Sequence, residues 1–263
     1  MAHVSGRDRS WVLAHPEADL GADTRSALSS ALERRAAGEP IAYIRGFKEW
    51  HSLRIRTDPR AMIPRPETEL LADAAVAEVT GRVTAGDAHV VAWEVATGSG
   101  AVAVALAVGL REHVERGHVR LVATDVSRPA IELAAENLEA HDVAELVTLH
   151  RSDLLELAGD ALPRPDVVVA NLPYVASAEV DERRGSLGFE PRVAVDGGPD
   201  GLVVLRRLFA ELSARAASGA TVLLEIGADQ AAAVAQLAPD RASVTIVPDL
   251  AGLDRILRVE MPD

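Results

Sequence analysis

From His89 onward, short apolar runs alternate with longer stretches in which apolar and polar positions recur at helical spacing. The runs are "HVVAWEVA", "VRLVATDV", "LVTLHRSD", "DVVVANLP" and "ATVLLEIG". Each is rich in β-branched residues and too short for a helix, so each reads as a strand; strands separated by helices predict a parallel sheet in an α/β fold. Val167, Val168, Val169 and Ala170 leave no polar face, the pattern of a fully buried strand. The chain ends differently. "SVTIVPDL" and "DRILRVEM" are joined by a turn containing Gly252 and not by a helix, which predicts an antiparallel hairpin at one sheet edge.

The first part of the chain is patterned as helix. From Trp11 to about Ala37 the spacing places Ala27, Leu28, Ala31 and Leu32 on one face, and Gly38 and Pro40 end the run. "AYIRGFKEWHSLRIRTD" then alternates in short strand-like pieces around Gly46, which suggests a small hairpin. "IPRPETELLADAAVAEV" opens with prolines and continues as an apolar-periodic helix from about Glu67. The expected organisation is therefore a helical unit over 1–38, a hairpin linker over 39–66 and the sheet domain over 67–263, without internal repeats.

Composition narrows the chemistry. The 263 residues include no cysteine, which removes disulfides and thiolate metal sites. The eight histidines show no i, i+4 pair, so no metal is expected. No apolar run approaches the roughly 20 residues needed to span a bilayer, and the N-terminus lacks the order of a signal peptide. A cytoplasmic protein with no membrane partner is expected. The net charge of −13 argues against nucleic acid as a direct partner, because phosphate backbones are bound by neutralising them.

"WEVATGSGAVAVALAVGL" sets Thr97, Gly98, Ser99 and Gly100 between a strand and an apolar helix, where glycines let a ligand approach backbone N–H groups at the helix start. The next strand ends in Asp125, a carboxylate placed to accept from both hydroxyls of a ribose. Its following helix is expected to carry Ile131, Ala134, Ala135 and Leu138 on one face. A nucleoside site is indicated, although with Ala103 at the third glycine position the loop alone does not exclude a dinucleotide. The buried strand at Val167 then delivers Asn171, Leu172, Pro173 and Tyr174 to its mouth.

"ATGSG", "ATDVSRPAIELAAEN" and "VVVANLPYV" resemble the cofactor loop, acidic strand end and catalytic motif of S-adenosylmethionine-dependent methyltransferases that act on planar nitrogens. More narrowly, "GEPIAYIRGFKEWHSLRI", "MIPRPETELL", "FEPRVAVDGGPDGL", "LLEIGADQ" and "PDLAGLDRILRV" resemble the release factor glutamine methyltransferases, over nearly the whole chain. The resemblance implies a Rossmann-like class I methyltransferase sheet with a small N-terminal helical domain that docks substrate. It also implies S-adenosyl-L-methionine as cofactor and the glutamine of the Gly-Gly-Gln motif of peptide chain release factors as methyl acceptor.

An amide nitrogen is a poor nucleophile because its lone pair is shared with the carbonyl; accepting both N–H bonds localises that density and aims it. The resemblance assigns these acceptor roles to the Asn171 side-chain oxygen and the Leu172 carbonyl, with Pro173 restricting the backbone and Tyr174 packing on the flat amide. It places Ala96, Thr97, Gly98, Ser99, Gly100, Asp125, Asp153, Leu154 and Asn171 at the cofactor, and Glu190 beside the substrate entrance with the Asn171–Tyr174 motif. The chain departs from the family at Leu172, usually proline, at Ala96, usually the first loop glycine, and at Glu94, usually aspartate. Its N-terminal helical segment is expected to be shortened. Trp93, in an apolar strand, is expected to pack in the core. Adenine methylation on RNA or DNA, and a non-catalytic cofactor-binding homologue, are the alternatives, since an adenine amino group is also a planar nitrogen.

Overall fold

The computed structural model describes residues 1–182 and 186–262. Four helices open the chain: α1 (Ala2–Ser5), α2 (Arg9–Ala14), α3 (Ala22–Ala36) and α4 (Ile41–Arg45). The helical run expected from Trp11 to Ala37 is thus broken between α2 and α3, around Pro16. The expected buried face of α3 is not buried either, since the helix has no buried residue and Leu32 is exposed.

Gly46 ends α4 in the left-handed conformation, and β1 (Phe47–Trp50) and β2 (Leu53–Arg56) follow as an antiparallel pair. Their turn lies at His51 and Ser52, both with positive φ, and not at Gly46. A I′-type turn needs that backbone at both central residues. Helix α5 (Thr68–Ala85) then leads into the sheet domain.

Strands β3 (Val90–Val95), β4 (Val119–Asp125), β5 (Val147–Arg151), β6 (Val167–Ala170), β7 (Thr221–Glu225), β8 (Ser243–Pro248) and β9 (Asp254–Glu260) form one sheet in the order β5-β4-β3-β6-β7-β9-β8. The first five are mutually parallel, and β9 runs antiparallel between β7 and β8. The terminal hairpin expected from Gly252 is present, with Asp249 accepting from the N–H groups of Ala251 and Leu253 to close its turn.

Helices cover both faces, and the short α7 (Arg111–Glu115) and α9 (Ser177–Glu182) lie in the connections after β3 and β6. Val167 and Val169 join one core cluster with α5 and α6 (Ala101–Gly109), while Val168 and Ala170 join the other with α10 (Val203–Arg215). This two-sided burial is why β6 has no polar position. Trp93 belongs to the second cluster, fully buried, with its indole N–H donating to Thr124. Between β4 and β5, α8 (Arg128–Ala140) buries Ala130, Leu133, Ala134, Asn137 and Leu138. Ile131 and Ala135 are only partly buried, so the buried stripe is rotated from the expected one.

Asn137 explains part of that rotation. Its amide donates to Ser99 O at 2.8 Å and Arg56 O at 3.1 Å and accepts from Arg56 N–H at 2.7 Å. One fully buried side chain thus joins β2, the glycine loop and α8. The order reversal in the sheet falls between β3 and β6, whose C-terminal ends are where an open α/β sheet offers a crevice.

Candidate active site

Two cavities meet at that crevice. The first, about 280 Å³, is walled by the loop after β3, the ends of β4 and β5, and the segment 60–64 that crosses over it. The second, about 560 Å³ and more polar, opens on the far side of the loop after β6. Asn171, Leu172 and Pro173 line both, together with Met62 and Ala194. A larger groove between α5 and α6, about 770 Å³, is lined mainly by small and apolar side chains, with His51 Nε2 and Asp73 Oδ1 in contact at 2.8 Å at one end.

The first cavity brings together Ala96, Thr97, Gly98, Ser99, Asp125, Asp153, Leu154 and Asn171, eight of the residues that the resemblance assigns to the cofactor. Gly100 does not line it. It caps α6 with φ +78, and a Cβ there would lie 2.9 Å from the Cα and Cβ of Ala134, so its smallness serves the packing of α6 on α8. Ala96 takes φ 58, the backbone a glycine would adopt freely; the loop keeps its path at a local strain of order 1 kcal/mol. Leu154 likewise has positive φ and is buried.

Asp125 does two jobs with its carboxylate before any ligand is considered. It accepts from Gly98 N–H at 2.9 Å and from Ser127 N–H at 2.8 Å, fixing the glycine loop and the start of α8. Burial pushes its pKa up, and these two N–H groups pull it back. Glu94 beneath it is 5% exposed and accepts from Thr97 Oγ1 at 2.7 Å. Burial drives the Glu94 carboxyl up to about 8, with the Thr97 hydroxyl opposing the rise and the charge on Asp125 adding to it.

The cations at this cavity are already engaged. Arg60 pairs with Asp58 and Glu136, and Arg207 with Asp153. With its arginines paired, the cavity suits a ligand that carries a cationic centre. Asp125→Ala is expected to weaken cofactor binding by ~1.5 to 3 kcal/mol, read by calorimetry, since a charge-assisted contact is lost. Asp125→Asn, which retains an acceptor for one loop N–H, is expected to lose less.

At the shared wall, the side chain of Leu172 is 2% exposed and packs in the second core cluster. The position thus contributes core volume as well as a backbone carbonyl, and proline there would give up packing. Tyr174 lines only the second cavity. Its hydroxyl donates to Glu225 Oε1 at 3.3 Å, and burial, followed by the Glu225 charge, holds it neutral with a pKa pushed up to about 12. Asn171 Nδ2 donates to Thr68 Oγ1 at 3.1 Å, and Thr68 in turn donates to Glu225 Oε2 at 2.6 Å.

Glu190 lines neither cavity. Its buried carboxylate accepts from Ile63 N–H at 3.1 Å and from Arg65 at 2.6 Å, so it clamps the crossing segment, and its link to an entrance is indirect. The same segment is held by Tyr43 OH on Ala61 O and Trp50 Nε1 on Arg65 O, both at 2.7 Å.

Thr68, Glu225, Gln230 and the glycines of "DGGPDG" were not singled out as site residues by sequence reasoning. Gln230 Nε2 donates to Tyr174 O at 2.9 Å, and Gly197 and Gly201 pack on the carbonyls of Pro173 and Tyr174. The available signal was their presence in the quoted family stretches, which carries no pairing information.

Residues 1–46 match the family described as the PrmC N-terminal domain. A release factor glutamine methyltransferase of Neisseria gonorrhoeae is 35% identical over 97% of this chain and 89% of its own length. One from Moorella thermoacetica is 36% identical over 94% and 84%. Among solved structures, a ribosomal protein L11 methylase from Lactobacillus delbrueckii subsp. bulgaricus superposes with a TM-score of 0.52 at 20% identity, covering 80% of this chain and 86% of that one, a likeness of fold.

Proposed function

The chain belongs to the release factor glutamine methyltransferase family, and from that premise we infer how its site performs the reaction. It is an S-adenosyl-L-methionine-dependent enzyme that methylates the side-chain amide nitrogen of a glutamine in peptide chain release factors, the glutamine of their Gly-Gly-Gln motif.

The first cavity fits the cofactor by its chemistry: a carboxylate at the strand tip for ribose hydroxyls, close-packed loop backbone, apolar walls and no unpaired cation. Asp125 would hold the ribose, Thr97 to Ser99 the loop side, and Asp153 with Leu154 the base. When bound, S-adenosyl-L-methionine supplies an electrophilic methyl group.

Everything else falls to the chain's own residues. Asn171 Oδ1 and the Leu172 carbonyl accept the two N–H bonds of the glutamine amide, which concentrates density on nitrogen. The Tyr174 ring flanks the amide plane from the second cavity. Alignment supplies most of the rate, because two reactants held in a near-attack arrangement avoid the cost of finding each other. The amide proton grows acidic only as the new bond forms, so no strong base is required beforehand.

The observation that carries this reading is the shared wall: Asn171, Leu172 and Pro173 stand between a nucleoside-suited cavity and a polar one open to a peptide. The test is transfer of labelled methyl from S-adenosyl-L-methionine to purified release factor, with a Gln→Ala variant of its Gly-Gly-Gln motif and structured RNA as comparators. Label on the wild-type release factor alone is expected. Label on RNA and none on release factor overturns the assignment.

A further inference from the structure

An asparagine can serve as acceptor only if its oxygen, and not its NH2, faces the substrate. The two ends are nearly the same size, so packing alone does not choose between them; hydrogen bonding does. Here the choice is made outside the Asn171–Tyr174 motif. Thr68 has one hydroxyl proton and gives it to Glu225 at 2.6 Å. Its oxygen is then available only as an acceptor, and it faces Asn171 at 3.1 Å. The Asn171 NH2 is thereby drawn toward Thr68. Among the described residues none donates to Asn171 Oδ1, which is left as the outward end of the amide.

We propose that Thr68 and Glu225 are positioning residues that set the orientation of the Asn171 amide and, through the second carboxylate oxygen, tie it to Tyr174. Glu225 accepts from Thr68 on Oε2 and from Tyr174 on Oε1, so one carboxylate anchors both the acceptor and the flat wall of the motif. At 1% exposure it has no water to substitute for either hydroxyl. The charged groups facing it are Arg255 of β9 and Glu67 at the start of α5. Burial raises the Glu225 pKa, while the Thr68 hydroxyl, Arg255 and the Tyr174 hydroxyl pull it back; in the carboxylate form that accepts from both, the hydroxyls can point only one way. Thr68 belongs to the "RPETE" stretch, which follows the segment crossing the cofactor cavity and borders that cavity through Thr68, so the stretch gains a role at the reacting nitrogen.

The inference rests on the acceptor role of Asn171, and its test separates the two. Thr68→Val keeps the volume and removes the hydroxyl; Thr68→Ser keeps the hydroxyl. With release factor as substrate, Thr68→Val is expected to lower turnover at saturating cofactor by about 10- to 100-fold, the scale of a misaligned reacting group, while Thr68→Ser recovers most of it. Thr68 also borders the cofactor cavity, so calorimetric affinity for S-adenosyl-L-methionine is read in all three proteins and is expected to change far less than turnover does. A second readout needs no turnover: the Asn171 side-chain NH2 resonances, identified by their absence in Asn171→Asp, should exchange slowly with water in the wild type and in Thr68→Ser, and quickly in Thr68→Val. Unchanged turnover or unchanged exchange in Thr68→Val overturns the proposal, as does an equal loss in Thr68→Ser or a matching loss of cofactor affinity. If the wild type methylates no release factor while the amide exchange behaves as described, the functional reading fails and the orienting relay stands.

Discussion

Asn171→Ala is expected to lower methyl transfer to release factor by at least about 100-fold while leaving S-adenosyl-L-methionine affinity nearly unchanged, because one preorganised polar contact to the reacting centre is removed. The geometry gives the split its reason. The cofactor cavity owes its shape to the loop after β3 and to Asp125, which is anchored on Gly98 and Ser127 and not on Asn171. Among the described residues Asn171 makes one side-chain hydrogen bond, to Thr68, so alanine disturbs little beyond the acceptor itself. Single-turnover rates with pre-bound cofactor, alongside calorimetry, read both quantities. A mutant as fast as wild type would remove Asn171 from the chemistry. A mutant that is slow only because it no longer holds cofactor would move it to the binding site.

Gly201→Ala is expected to damage the same loop from behind. Gly201 has φ +74, and a Cβ on it would lie 2.3 Å from the Tyr174 carbonyl oxygen and 2.8 Å from Gln230 Nε2. Neither neighbour can yield cheaply, since the carbonyl is the one Gln230 holds. The backbone strain costs about 1–3 kcal/mol, and the forced shift of Tyr174 is expected to lower turnover by about 100-fold if it approaches 1 Å. Thermal unfolding and saturating rate measure the two effects. Gly81→Ala in α5, where a Cβ would meet nothing within 4 Å, serves as the control: it should leave turnover untouched and raise stability by about 0.5–1 kcal/mol, as alanine does inside a helix. A Gly201→Ala protein with wild-type turnover would show that Tyr174 needs no buttress.

How much of this could be read from the sequence depends on the distance between partners. The five parallel strands, the hairpin around Gly252 and the placement of Asn171 at a strand tip all follow from patterns within a few residues, where burial on one or two faces dictates the spelling. The α8 stripe was misjudged because a polar residue, Asn137, occupies the buried face, and hydrophobic periodicity counts it as surface. The turn of the first hairpin was hidden for a related reason: His51 and Ser52 adopt the backbone usually announced by glycine. The motif names only the carbonyl of Leu172, and the burial of its side chain in the core depends on packing across the sheet that no local pattern carries. Glu190 and Thr68 act through partners 125 and 157 residues away, Arg65 and Glu225, and no local pattern encodes such pairs.

The buried amide of Asn137 has a consequence for which spellings this fold tolerates. It meets two carbonyls and one N–H, contributed by β2 and the glycine loop. Aspartate has the right outline but donates nothing, and would set a carboxylate against the oxygens of Ser99 and Arg56. Leucine has the volume but would abandon three backbone groups to a dry interior, each at a cost of about 1–3 kcal/mol. Glutamine brings the right atoms one carbon too far. At this position the alphabet of twenty shrinks to a single letter, and it does so with no ligand in view, so a residue that never touches the reaction is as narrowly specified as the asparagine that does.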